Sequence, residues 1–285
     1  MQSIRTDLAM EAHELSRKQN ADIQGVEVIT EREEGIKLTR VKILEKRAAQ
    51  LLGKAEGTYV TIEAPQIRYS LDGYERVVDI IAKELKEMAH TEKRRLTLVA
   101  GLGNRDITPD ALGCEVISKL LVTKHLKEHM QHIFDKDMGN VCAVAPGVLG
   151  TTGIETAQMI KGISDMIQPD LVIAVDALAA ADIHRMNTTI QLADTGIQPG
   201  AGVGNNRRGL NEETLGVKVI AVGVPTVIDA AAISKVKIPE ESAPLMITTK
   251  DIDSVIERMS KTVANGINKA LQPKMSLEEI ESLVK

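Results

Sequence analysis

The sequence predicts an α/β fold in which a mostly parallel sheet carries helices on both faces, with a small antiparallel β extension near the N-terminus. Two observations lead to this prediction. Through the middle of the chain, short runs of Val, Ile, Leu and Ala alternate with longer stretches of helical periodicity. The first 70 residues show short segments with partial alternation of polar and apolar residues, which is typical of antiparallel strands.

Four apolar runs are predicted to be strands buried on both faces, because their apolar residues are consecutive instead of alternating. These runs are residues 96–101, 141–146, 170–175 and 217–224. Helices are predicted at residues 72–89, 110–127, 155–167, 250–271 and 276–284. The antiparallel strands of the N-terminal extension are predicted at residues 26–30, 36–44 and 59–64.

The chain shows no internal repeat, low-complexity tract or linker, which favours one elaborated α/β domain over two separable ones. We expect this domain to span residues 8–285. Residues 8–70 would form its β-rich extension, and residues 71–285 its core and C-terminal helices.

Composition excludes several classes of function. The 285 residues carry a net charge of −5, so the chain is not a polybasic nucleic-acid binder. Three Tyr, one Phe and no Trp leave too few rings for base stacking or for a ring-lined sugar groove. The N-terminus lacks the apolar segment of a secretion signal, and no apolar stretch is long enough for a membrane span. Two distant cysteines favour a reducing compartment.

The candidate chemistry lies in the loops that follow the predicted strands, because ligands of parallel sheets bind beyond the carboxyl ends of the strands. Asp110 follows Thr108 and Pro109 at a predicted helix start, and Asp176 ends the apolar run of residues 171–175. Two carboxylates that share a proton can supply both a base for water and an acid for the leaving group. From spacing alone, a helix-start charge for Asp110 and a strand-end cap for Asp176 remain open.

Other nucleotide and nucleophile motifs are absent or incomplete. The glycine-rich loop GLGNRD has Asp106 where a dinucleotide site needs its third glycine. Neither a Walker-type loop nor a GxSxG elbow occurs. Cys114 and Cys142 fall in a predicted helix and a predicted strand, so we interpret both as buried structural thiols.

Two further patterns have a rival catalytic or metal interpretation. The triplet Asp194-Thr195-Gly196 occurs in pepsin-like proteases, but those are all-β and use two copies, so a turn is the preferred interpretation. His125, His129 and His132 have the spacing of one helical face, yet their charged neighbours favour a solvated helix end over a metal site.

Five segments together carry a family resemblance. They are GLGNRDITPDALG (101–113), APGVLGTTGIET (145–156), DLVIAVDALAA (170–180), TTIQLADTGIQPGAGVGNNR (188–207) and VIAVGVPTVIDA (219–230). In this combination and order the chain resembles the germination proteases of spore-forming bacteria. The similarity extends from the motif RTDLA at residues 5–9 to the C-terminal helices.

The resemblance implies an atypical aspartic endopeptidase that degrades the small acid-soluble proteins coating DNA in the dormant spore. It further implies a fold related to hydrogenase-maturation endopeptidases, a homotetramer, a self-processing zymogen and a cytoplasmic location in the forespore or spore core. The family's catalytic aspartates match Asp110 and Asp176. We expect no cofactor, no metal, no membrane association and no direct contact with nucleic acid.

Family substrates are cut after an acidic residue and before a bulky apolar one, and residues 5–9 have this form. The resemblance therefore predicts processing between Asp7 and Leu8, with residues 1–7 as the propeptide. A pocket for an acidic side chain should contain a cation, and the candidates bordering the loops are Arg105, Arg185, Arg207 and Arg208. Many relatives have histidine where this chain has Gln198, which argues against an essential histidine there.

Two alternatives remain open from the sequence. On the same fold, the carboxylates could be ligands of a metal-dependent maturation-type endopeptidase. The glycine-rich loops could instead belong to a small-molecule binder without catalytic activity.

Overall fold

The computed structural model of the protein describes residues 6–18, 23–68, 73–89, 96–129, 138–200, 208–234 and 245–284. Its strands are β1 Val26–Glu33, β2 Ile36–Ile43, β3 Gly57–Glu63, β4 Leu96–Gly101, β5 Asn140–Val144, β6 Leu171–Ala180, β7 Thr189–Ala193, β8 Val219–Asp229 and β9 Met246–Ile247. Its helices are α1 Ala9–Lys18, α2 Lys46–Leu52, α3 Tyr74–Ala89, α4 Leu112–Ser118, α5 Lys124–His129, α6 Leu149–Thr152, α7 Thr156–Ile167, α8 Glu212–Leu215, α9 Ala230–Ile233, α10 Ile252–Leu271 and α11 Leu277–Leu283.

One large sheet connects the strands in the order β1-β2-β3-β7-β8-β6-β4-β5, with β9 beside β8. Strands β8, β6, β4 and β5 are parallel, whereas β1, β2, β3 and β7 form an antiparallel half. The α/β class is confirmed, but the sheet is less parallel than predicted. The difference arises at β7, which is antiparallel to both β3 and β8 and joins the two halves.

Helices cover both faces of the sheet, because side chains alternate along each strand. Val99, Ile173 and Val222 pack on one face with apolar residues of α3, α4 and α10. Ala100 and Ala174 face the opposite side, where they pack with residues of α7. On that second face, α1 and α2 cover the antiparallel half.

The predicted helix at residues 110–127 is interrupted in the structure, and α4 ends at Ser118. Asn268 of α10 satisfies the backbone that this break exposes: its Oδ1 accepts from the Leu121 amide at 2.9 Å, and its Nδ2 donates to the Lys119 carbonyl at 3.0 Å. The Thr123 amide then donates to the carbonyl of Val141 in β5 at 2.9 Å. A tertiary contact thus replaces the helical hydrogen bonds that the sequence predicts.

Candidate active site

Asp110 lies in a 3₁₀ turn, Thr108–Asp110, at the end of the glycine-rich loop that follows β4. Gly103 permits the turn, since its φ is +99° and a Cβ there would overlap the Asp110 carbonyl oxygen. The Asn104 amide donates to Asp110 Oδ2 at 2.7 Å. Thr226 of β8 fixes the turn by donating from Oγ1 to the Pro109 carbonyl at 2.7 Å. The turn therefore holds Asp110 beside the parallel half of the sheet.

Asp176 lies within β6, and its residue is only 5% exposed. The prediction that this strand ends at residue 175 was wrong, because β6 continues along β8 to Ala180. Its neighbour β4, however, ends at Gly101, which pairs with Val175. Asp176 is thus the first residue of β6 beyond the carboxyl end of β4, where the loop carrying Asp110 begins. Its Oδ1 accepts from the Ala177 amide at 3.0 Å.

The side of the sheet that Asp176 faces is set by alternation along β6. Ala174 packs with the cluster around α7, and Leu178 packs with Leu8, so Asp176 between them faces the same side. In the sheet register, Asp176 is opposite Gly223 of β8, which is opposite Gln191 of β7. Because Gln191 also donates to the Asp7 carbonyl, these three residues connect Asp176 with the N-terminal segment.

The N-terminal segment is bonded to β6 at Asp7. The Asp7 amide donates to the Ala179 carbonyl at 2.9 Å, and the Ala179 amide donates back to Asp7 Oδ2 at 2.8 Å. The register of β6 and β8 shifts between Leu178 and Ala179. Leu8 is fully buried against Leu178 and Ala180. The two residues that flank the predicted processing point are therefore both held by β6.

The carbonyl oxygen of Asp7 accepts two side-chain hydrogen bonds, from Lys54 Nζ at 3.0 Å and from Gln191 Nε2 at 3.1 Å. Lys54 Nζ also donates to the Thr6 carbonyl at 3.1 Å. Gln191 Oε1 accepts from the Ala9 amide at 2.8 Å. Burial lowers the pKa of Lys54, while the charges of Asp7 and Glu11 oppose that change. No sequence pattern points to Lys54 or Gln191 as a site residue.

Lys54 owes its position to the end of α2. Gly53 adopts the left-handed conformation, with φ 61°, and the Lys54 amide returns to the Ala49 carbonyl at 3.1 Å. A glycine directly after a helix is a signal of such a cap, but nothing in the local sequence indicates where the lysine side chain goes.

A cavity of about 300 Å³ opens beside the Asp7 carbonyl. Lys54, Gln191 and Gly223 line it on one side, and the segment from Thr195 to Gln198 lines it on another. Gln198 is exposed at its edge. The cavity is large enough for a side chain or for several waters.

The predicted arginines occupy different environments. Arg185 is buried, and its guanidinium donates to both carboxylate oxygens of Glu14 at 2.8 Å and to Glu63 at 3.1 Å. Arg105 and Arg208 are exposed, and Arg207 lies outside the described residues. Among the described residues, the cation whose hydrogen bonds reach the Asp7 backbone is Lys54. Whether Arg105, Arg207 or Arg208 contacts a substrate stays a prediction.

Asp194, both cysteines and two of the three histidines that had rival interpretations lie among the described residues. Asp194 Oδ1 accepts from the Thr58 amide at 2.7 Å, in the turn that follows β7. Cys114 lies in α4 and Cys142 in β5, and burial raises the pKa of both thiols. Of the three histidines, His125 and His129 lie in α5, and His132 lies outside the described residues.

The described ranges contain neither a cluster of metal-ligating side chains nor a helix suited to span a membrane. No three His, Cys, Asp or Glu residues there are grouped as a metal site would need. No helix in these parts of the chain combines the length and the apolar character needed to cross a membrane.

Comparison with known proteins identifies the family. The family model described as germination protease matches residues 4–240. A germination protease from Clostridium tetani is 42% identical, with 98% of this chain and 99% of that protein covered. One from Caldanaerobacter subterraneus is 44% identical, with 99% and 98% covered, and one from Bacillus cereus is 38% identical, with 94% of each covered.

Among solved structures, the [NiFe] hydrogenase maturation protease HycI from Thermococcus kodakarensis is 20% identical to this chain, with a TM-score of 0.34. The match covers 64% of this chain and 98% of that protein. A similarity this low supports no conclusion about fold or function. The sequence relatives are decisive, because they match almost the whole chain at about 40% identity. This chain belongs to the germination protease family, a family of peptidases.

Proposed function

We propose that this peptidase cleaves small acid-soluble, DNA-protecting spore proteins during germination, after an acidic residue, with water activated by Asp110 and Asp176. We also propose that it is a zymogen that processes itself between Asp7 and Leu8. One observation carries the proposal: the Asp7–Leu8 segment is held against β6, on the face to which Asp176 points.

The proposed chemistry needs one carboxylate and one carboxylic acid at the site. The carboxylate takes a proton from water as its oxygen adds to the carbonyl carbon of the acidic residue. The protonated partner then gives its proton to the amide nitrogen as the C–N bond breaks.

Family membership also leads us to propose a homotetramer that acts in the spore, with proteins as its partners instead of DNA or membranes. The net charge of −5 gives the chain no general attraction to phosphate. Sedimentation of the purified chain tests the assembly, and a monomer at micromolar concentration would contradict it.

The catalytic assignment is tested with Asp110→Asn and Asp176→Asn, each of which keeps the size of the side chain and removes its charge. Asp106→Asn is the matched control, because Asp106 is an exposed carboxylate in the same loop as Asp110. We expect both catalytic-site variants to fold but to leave residues 1–7 attached, as measured by mass spectrometry. They should also fail to cut a peptide with the sequence of residues 1–14.

The control variant should process itself at the wild-type rate. Turnover by folded Asp110→Asn or Asp176→Asn within tenfold of the wild type would reject the aspartate pair, since loss of a general acid or base typically costs about 10²–10⁴-fold. A new N-terminus other than Leu8 would reject the processing site.

A further inference from the structure

We infer that Lys54 and Gln191 form the site that stabilises the negative charge developing on the carbonyl oxygen of the cleaved bond. This inference rests on the proposed function and adds two catalytic residues to it. Its basis is the convergence of two side-chain donors on one particular carbonyl oxygen, that of Asp7.

Two side-chain donors converge on the carbonyl oxygen of Asp7. Lys54 Nζ is 3.0 Å and Gln191 Nε2 is 3.1 Å from the Asp7 oxygen, and they come from unrelated parts of the fold, the end of α2 and the centre of β7. Two such donors within hydrogen-bond distance of one carbonyl are what an oxyanion site requires. The carbonyl they share belongs to the peptide bond that the family pattern marks for cleavage.

Gln191 is already oriented toward the Asp7 carbonyl in the folded chain. Gln191 is buried, and its Oε1 already accepts from the Ala9 amide, which turns its Nε2 toward the Asp7 carbonyl. For Lys54, the left-handed glycine that precedes it fixes the backbone from which the side chain starts. A donor that is already oriented needs little reorganisation when charge appears on the oxygen.

During the reaction, water oxygen bonds to the Asp7 carbonyl carbon, and the π electrons of the carbonyl move onto its oxygen. That oxyanion would accept from Lys54 and Gln191. When it collapses, the electron pair of the C–N bond leaves with the Leu8 nitrogen, which takes a proton from the acidic member of the aspartate pair. The ionised aspartate takes one proton of the water, and the new α-carboxyl group of Asp7 gives the other to the Leu8 amine. The products are an α-carboxylate at Asp7 and an ammonium group at Leu8, so atoms and charge balance.

The same donors remain available to a substrate in trans. Lys54 and Gln191 both line the 300 Å³ cavity, and the peptide up to Asp7 covers them in the full-length chain. Once that peptide has left, the carbonyl of a substrate's acidic residue can take the place of the Asp7 carbonyl.

The test measures the rate of self-processing in the full-length chain for Lys54→Met and Gln191→Glu. The first variant keeps an unbranched side chain and loses the N–H donors; the second keeps the acceptor for the Ala9 amide and replaces the donor by an oxygen. Lys46→Met is the control, because Lys46 is an exposed lysine at the start of the same helix. Circular dichroism and thermal unfolding verify that each variant folds.

We expect Lys54→Met and Gln191→Glu each to slow the appearance of the Leu8 N-terminus by about 10²-fold or more, and Lys46→Met to leave it unchanged. With a peptide in trans, the loss should appear in kcat more than in KM, because the donors act on the transition state. A merely structural role would not produce that split.

Rates within twofold of the wild type in either folded variant would overturn the inference, and Gln191→Glu decides if Lys54→Met does not fold. If the wild type processes itself, Asp176→Asn does not, and both donor variants remain fast, only this inference fails. If Asp176→Asn also processes itself, the proposed function fails and the inference fails with it.

Discussion

At the scale of single residues, Arg185 is the main tie between the N-terminal helix and the sheet. It contacts Glu14 and Glu11 of α1 and Glu63 of β3. Arg185→Met leaves Glu11 and Glu14 without this cation, whereas Glu63 keeps its ion pair with Lys37. Removal of one partner from a buried ion pair is costly. We expect unfolding free energy to fall by about 2–3 kcal/mol, at the lower end for buried pairs because the Glu14 side chain is 44% exposed.

Urea unfolding at neutral pH measures this change in the Asp176→Asn background, where self-processing does not interfere. Arg76→Met removes an ion pair with Glu33 whose side chains are both largely exposed, and it should leave the unfolding midpoint unchanged. An Arg185→Met midpoint equal to that of this control would contradict the assigned role.

Glu11 predicts a pH dependence of stability. Burial raises its pKa above the ordinary 4.5, although Thr6, the Ala181 and Asp182 amides and Arg185 favour the charged form. The folded state then binds this proton more tightly than the unfolded state. The contribution of Glu11 is thus fully present below pH 4.5 and is lost as pH rises through its folded pKa. Relative to Glu11→Gln, the parent chain should lose stability between pH 4 and pH 8.

Urea unfolding across that range measures the difference between the two chains. Glu128 gives a control of opposite sign, because its hydrogen bond with Lys124 lowers its pKa, so the parent should gain stability over Glu128→Gln as pH rises. A flat or rising difference for Glu11→Gln would show that its carboxyl is not destabilised by burial.

Single residues also show where sequence reasoning reaches its limit. Asp110 and Asp176 were identified because each stands beside a clear pattern, a helix start and an apolar run. Lys54 has no such pattern, because it is one of many charged residues in the N-terminal region. Its contact with Asp7 depends on how α2 and the N-terminal segment both fold onto the sheet. A contact between residues far apart in the chain produces no sequence motif of fixed spacing.

At the scale of elements, Gly113 lets helix α4 pack closely against the sheet. A Cβ at Gly113 would overlap the backbone of Leu102 and would lie 2.6 Å from the Val175 carbonyl oxygen. Gly113→Ala should therefore push α4 from β4 and β6 and lower the unfolding free energy by about 3 kcal/mol. Since Asp110 and Asp176 adjoin the displaced backbone, self-processing should slow as well.

Gly162 is the matched control, because it is an exposed glycine of α7 with no atom within 4 Å of its would-be Cβ. Gly162→Ala should stabilise the chain by about 1 kcal/mol through helix propensity alone. Thermal unfolding of the two variants should therefore shift in opposite directions. A Gly113→Ala variant as stable as Gly162→Ala would mean that the helix can move outward without cost.

The elements that local pattern determines were predicted well, and those that depend on tertiary contacts were not. Strand β4 has the predicted bounds, Leu96–Gly101, and helix α10 ends at Leu271, as predicted. Strand β7 was missed although Thr189–Ala193 alternates polar and apolar residues, because five residues are a short pattern and the strand is defined by its pairing with β3 and β8. The break after Ser118 was missed because its hydrogen bonds come from Asn268, far along the chain.

At the scale of the whole molecule, the candidate site is assembled from segments that are distant in sequence. Asp7, Lys54, Ala179 and Gln191 meet through hydrogen bonds that span up to 184 positions. The N-terminal peptide hydrogen-bonds to β6 in the parallel half of the sheet and to β7 in the antiparallel half, so it connects the two halves. Removal of that peptide should affect the stability of the whole fold.

We predict that a chain beginning at Leu8 is less stable than the full-length chain by about 2 kcal/mol, both carrying Asp176→Asn. The full-length chain has four hydrogen bonds of Asp7, two with Ala179 and one each with Lys54 and Gln191, and each is worth about 0.5 kcal/mol after replacement by water. Urea unfolding measures the difference.

An acetylated peptide with the sequence of residues 5–7 should restore stability in proportion to the logarithm of its concentration, because it binds only the folded state. The same peptide with Asn at the Asp7 position should restore less, because an uncharged side chain accepts a weaker bond from the Ala179 amide. Equal stability of the two chains would show that the Asp7 contacts do not stabilise the fold, and equal rescue by the two peptides would show that they do not select an acidic residue.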